Sequence, residues 1–169
     1  MATYIKTIKQ NEDIIYPITS SGAIVDSIPR SGLEQNVITA SLGTTGADTS
    51  IAANTVIQAT AVYSQVGDGF SVSGGYIVVG PGISKVLVSA SVFYAPSGSN
   101  AYGWYQLEKN GTEIAGCRAI ASIYGGSFGT ATLAEKLISV AEGDKIGIRN
   151  IDASTYRQLH SYITVRQVL

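Results

Sequence analysis

Three groups of residues in this chain carry side chains able to do chemistry. Gly125-Gly126-Ser127-Phe128-Gly129 is a G-x-S-x-G run, followed by Asp144, Asp152 and then His160, the chain order of an α/β-hydrolase triad. A serine in that run acts only when a sharp strand-to-helix turn lifts it above a parallel sheet. No strand-helix-strand alternation surrounds it here, so the run reads as a glycine-rich loop between strands. An esterase built on Ser127 and His160 is the weaker alternative to a non-enzymatic chain. His160 and Cys117 are the only residues of their types and stand too far apart in the chain for a zinc site. Asp68, Asp144 and Asp152 lack the spacing of a calcium loop, so neither metal nor cofactor is expected. The third group is aromatic. Tyr102, Trp104, Tyr105, Tyr124 and Tyr156 fall in or beside expected loops, where amphipathic rings stack on sugars, contact partners or cover core edges. Of these, Tyr102, Trp104, Tyr124 and Tyr156, with Arg157 and His160, are the candidate ligand-binding residues.

The elements that must hold these residues are strands. Over Lys85 to Tyr94, Val86, Val88, Ala90, Val92 and Tyr94 share one face while Leu87, Ser89, Ser91 and Phe93 share the other, the two-residue period of a half-buried strand. Trp104, Gln106 and Glu108 likewise oppose Tyr105 and Leu107. Asn110-Gly111 ends that run and predicts a two-residue hairpin, because both residues accept the positive φ of a type I′ turn. The same Asn110-Gly111-Thr112 is formally a glycosylation acceptor, but the turn is the expected role. Thr55 to Val62, Lys145 to Ile151 and Ser161 to Leu169 read as further strands. Ala131 to Val140 fits either a helix or a strand, and periodicity does not separate them.

The front of the chain is different. Ile14-Ile15-Tyr16-Pro17-Ile18-Thr19 is extended around a proline, which removes a ladder donor and suits an edge or docking strand. The expected organisation is an attachment segment over 1–34, a Thr/Ser/Ala-rich spacer with one strand over 35–65, and a β-sandwich over 66–169. Between Gln35 and Gln65 the only charged residue is Asp48.

Composition narrows the partners. The chain has 169 residues, 14% of them charged, 19 glycines, ten tyrosines and a formal net charge of −1. It has no basic surplus to neutralise phosphates, so nucleic acid is not expected. No run of about 18 apolar residues is present, and the N-terminal residues show no secretory signal pattern. Membrane insertion is therefore not expected, and the product reads as one made without a secretory signal. So little charge also suggests that much surface is covered by copies of the same chain.

From Gly74 onward the order of features resembles the tumour necrosis factor-like jelly roll, in particular the globular heads of the first complement component. The resemblance rests on Gly75-Tyr76-Ile77-Val78-Val79, the run Lys85 to Tyr94, Tyr105 to Gly111, Leu137 to Ile146 and the final Ser161 to Leu169. It implies an all-β antiparallel sandwich, a homotrimer with one sheet of each subunit facing the threefold axis, and a strand over Thr132 to Val140. The front segment, with Ile14, Ile15, Tyr16, Pro17 and Ile18 as its attachment residues, resembles the attachment ends of bacteriophage fibre and baseplate proteins. Together the two resemblances imply a virion surface protein, a head fibre or tail appendage. Its front segment would contact other virion proteins, and its sandwich would either bind host-surface carbohydrate or serve as plain capsid decoration.

Overall fold

The computed structural model describes residues 8–10, 13–15, 35–43, 49–94, 100–124, 129–152, 154–156 and 161–168. The chain divides into two compact units, Met1–Glu34 and Gln35–Leu169. In the first, β1 (Ile8–Gln10) and β2 (Asp13–Ile15) pair antiparallel, with Ile8 opposite Ile15 and Gln10 opposite Asp13.

The second unit contains β3 (Val37–Leu42), β4 (Thr49–Ile51), β5 (Thr55–Ile57), β6 (Ala59–Val66), β7 (Phe70–Ser73), β8 (Tyr76–Val79) and β9 (Lys85–Tyr94). It continues with β10 (Asn100–Lys109), β11 (Thr112–Tyr124), β12 (Gly129–Ser139), β13 (Lys145–Asn150), β14 (Ser154–Tyr156) and β15 (Tyr162–Gln167). There is no helix among the described residues, and every strand pairing is antiparallel. One sheet runs β11-β10-β13-β8-β7, with β5 beside β8 on the same edge of β13. The other runs β4-β14-β9-β15-β3-β6, with β12 on the opposite edge of β9. Alternate residues of the two sheets meet in a single core: Val86, Val88 and Val92 of β9 and Ile163 and Val165 of β15 face Tyr105 and Leu107 of β10 and Ile146 and Ile148 of β13, all fully buried. Each such side chain contributes about 1.5–3 kcal/mol by leaving water. This is the antiparallel β-sandwich expected from the alternation. The inward face of β9 agrees through Val92; the side chain of Tyr94 lies outside the described residues.

Two features differ from the sequence reading or complete it. The stretch read as a spacer is part of the sandwich: β3 lies between β15 and β6, and Ile38, Ala40, Leu42, Ile57 and Ala59 are core residues. Its lack of charge goes with alternate burial in β3 and with strand pairing in β6, which is exposed beyond Ala59; a Thr- and Ala-rich composition does not distinguish that from a linker. The ambiguous Ala131–Val140 stretch is strand, because β9 offers a full-length edge, pairing Gly129 with Tyr94 through to Ser139 with Lys85. A register shift between Leu133 and Lys136 explains why the alternation was blurred.

Candidate functional site

The aromatic positions of β10 are set by its core residues. With Tyr105 and Leu107 at 0% exposure, Tyr102, Trp104, Gln106 and Glu108 fall on the outward face of the six-stranded sheet. On β11, Ile120 stands opposite Trp104, Ser122 opposite Tyr102 and Arg118 opposite Gln106. On β13, Arg149 stands on the other side of Gln106 and Gly147 on the other side of Glu108. Tyr102 is 61% exposed, Ile120 47%, and Trp104 is half-buried. Side chains directly or diagonally opposite on neighbouring strands lie close enough to touch, so these three form one apolar strip.

Below the strip a bulge supplies a fork. Between the pairs Gln106–Arg118 and Glu108–Glu113, β10 advances two residues while β11 spends five. Gly116, inside this excursion, has φ 75°, a conformation that favours glycine. The excursion brings Glu113 beside Arg118, whose Nε and guanidinium nitrogen donate to the two Glu113 carboxylate oxygens at 2.8 and 2.5 Å. On the other flank, Arg149 Nε donates to Glu108 Oε2 at 2.6 Å, and Tyr76 Oη donates to Glu108 Oε1 at 3.2 Å. The Tyr76 ring packs over Gly147, where an added Cβ would lie 2.8 Å from it. Ring and guanidinium together seal Glu108 from solvent completely. Burial, and then the Glu108 charge, push the Tyr76 hydroxyl above its usual value.

Between the two guanidiniums lies Gln106, only 8% exposed. Its carboxamide makes no hydrogen bond with any described residue. A buried polar group left without a partner costs about 1–3 kcal/mol, and native proteins keep few of them. The site is therefore an exposed apolar strip of two aromatic rings and an isoleucine, bordered by an unsatisfied carboxamide and two arginines each neutralised by its own glutamate.

The structure sorts the sequence candidates. Tyr102 and Trp104 share this face, on a strand and not in a loop. Tyr105, grouped with them by sequence, is core and unable to meet a ligand. Tyr124 ends β11, opposite Asn100. Tyr156 pairs with Tyr94 and Thr49 in the other sheet, in a strand that comes near β10 across the sandwich without pairing with it. The side chains of Tyr124 and Tyr156, and Arg157, Ser127 and His160 altogether, lie outside the described residues. So do Tyr16, Pro17 and Ile18, while Ile14 and Ile15 belong to β2. Asp144, an acid candidate in the triad reading, is held by Asn110 Nδ2 at 2.7 Å, the Ala141 N–H at 3.0 Å and Lys109 Nζ at 3.3 Å. It is a turn residue. Among the described residues no three His, Cys, Asp or Glu side chains gather as a metal site. Sequence reading missed Gln106, Arg118, Ile120 and Arg149. Gln106 was legible as outward-facing, but its neighbours were not.

No protein-family model and no curated protein matches the sequence. Solved structures do. Murine APRIL at pH 5.0 superposes with a TM-score of 0.59 at 14% identity, over 79% of this chain and 99% of that one. Eiger TNF from S. frugiperda gives 0.57 at 14% identity, over 79% and 94%. The globular domain of the zebrafish complement 1qA protein gives 0.56 at 9% identity, over 80% and 98%. The sandwich thus has the jelly-roll fold of tumour necrosis factor-family proteins and complement globular heads.

Proposed function

We propose that this chain is a non-enzymatic, homotrimeric surface-binding module, with the seven-stranded sheet turned inward between subunits and the six-stranded sheet turned outward. The observation that carries this reading is the outer face of the seven-stranded sheet. By register, that face consists of Val37, Thr39 and Ser41 of β3, Leu87, Ser89, Ser91 and Phe93 of β9, and Tyr162 and Thr164 of β15. Its charges, Lys85 and the Arg166–Glu135 pair at 3.0 Å, stand towards one end. Leu137 and Tyr162 on this face are 52% and 46% exposed, Val66 on β6 is 51% exposed, and Tyr63 at a β6 bulge 80%. A hydroxyl-rich face with exposed rings and few charges suits burial against copies of itself.

The narrower reading is a bacteriophage virion protein on the particle surface, attached to other virion proteins through residues 1–34 and presenting the sandwich to host glycans. Its support is the resemblance of the front segment to fibre and baseplate attachment ends. Three weak sites on one rigid trimer would gain avidity from their spacing. Size-exclusion chromatography with light scattering tests the assembly: the expected mass is three times 17.6 kDa, and a clean monomer would sink it.

A further inference from the structure

We propose that the outward face of β10 and β11 is a binding site for a neutral oligosaccharide, with Trp104, Tyr102 and Ile120 as its platform and Gln106 as its hydrogen-bonding floor. This deepens the glycan-binding role proposed above and rests on it. The platform alone would not name a ligand; Gln106 does. Gln106 as a residue is more than nine-tenths buried and lies between two strands' arginines and beside Trp104, and its carboxamide pairs with no described residue. A carboxamide both donates and accepts, and a sugar hydroxyl does the same, so one hydroxyl lowered beside Trp104 satisfies it in either sense.

Charge excludes the competing ligands. Arg118 is forked onto Glu113 and Arg149 is bonded to Glu108, so the row carries two cations and two anions and leaves no surplus for a phosphate, a sulfate or a sialic acid. The Arg118–Glu113 fork still offers polar edges to vicinal hydroxyls. The C–H face of a pyranose matches an aromatic ring, whose amphipathic character suits a ligand that is apolar on one face and polar at its rim.

Trp104 is the chain's only tryptophan, so its emission reports on this site directly. The full-length protein is titrated with maltohexaose, cellohexaose and chitohexaose, and with sialyllactose as an anionic comparison. At least one neutral oligosaccharide should change the emission saturably, with half-saturation on the order of 1 mM, as a shallow site allows. Tyr102→Ala, at an exposed position, should weaken that response at least tenfold. Gln106→Met should abolish it while raising the melting temperature, because the unsatisfied amide is gone. A purely structural glutamine would give the second effect without the first. The proposal is overturned if no neutral sugar gives a saturable change, if sialyllactose alone does, or if Gln106→Met binds as the parent does. A monomer by light scattering with a saturable titration would remove the trimer and leave this site standing; a trimer with a flat titration would do the reverse.

Discussion

Glu108 shows how much a single residue can commit on the outside of a sheet. Alternation puts it on the solvent side of β10, yet Tyr76 and Arg149 close over it until no surface remains. A buried carboxylate is tolerable only with its partners in place. Glu108→Ala would leave the Arg149 guanidinium without its nearest anion and the Tyr76 hydroxyl without its acceptor. The expected loss is about 3 kcal/mol, read from urea unfolding, whereas Glu108→Gln should cost less because it keeps an acceptor for Tyr76. Equal losses for the two variants would show that the charge of Glu108, and not its packing or its bond to Tyr76, holds this corner. Gln106, one step up the strand, is the opposite case: buried, polar and unpaired among the described residues.

At the scale of elements, two turns are tied together at one end of the sandwich. The β10–β11 turn carries Asn110 at φ 53° and Gly111 at φ 80°, as the Asn-Gly pair predicted. Asn110 also donates to Asp144 and accepts from the Lys145 N–H at 2.8 Å, so it joins its own hairpin to the turn entering β13. The Asn110 amide, helped by the Ala141 N–H and Lys109, holds the Asp144 carboxyl below its usual range. A carboxyl whose folded pKa is lowered stabilises the fold above its unfolded pKa of about 3.9 and loses that contribution as pH falls through the folded value. Asp144→Asn should therefore be less stable than the parent near neutrality, and the gap should close below about pH 4. Thermal melts of both proteins across that range check it; a gap independent of pH would mean that Asp144 acts through geometry alone.

For the whole molecule, the two outer faces are unlike, and that difference organises the proposed assembly. The seven-stranded sheet exposes Tyr162 and Leu137 amid serines and threonines, while the six-stranded sheet carries paired charges beside an aromatic strip. A Leu137→Glu, Tyr162→Glu double variant places charge where the subunits are proposed to meet. The expected result is a 17.6 kDa species by light scattering with the β-sheet circular dichroism of the parent. A trimer that survives both changes would move the interface elsewhere on the molecule.

What the sequence determined by itself was local. The inward residues of β9, β10 and β13 were legible because a strand's period of two depends only on the order of its own side chains, and the Asn110-Gly111 turn because positive φ is a property of those residues. Pairing was the business of tertiary structure. The turn's own register would have carried Glu108 opposite Glu113 upward to Gln106 opposite Ala115; the excursion around Gly116 sets Arg118 there instead, and nothing in composition announces a bulge. In the same way only the vacant edges of β9 and β15 made strands of Ala131–Val140 and Val37–Leu42. Tyr105 and Trp104 are both aromatic and adjacent in the chain, and which is core and which is surface was legible from alternation. That Trp104 stands opposite Ile120 and one step from an unpaired, buried Gln106 was not, because it depends on where a distant strand comes to lie.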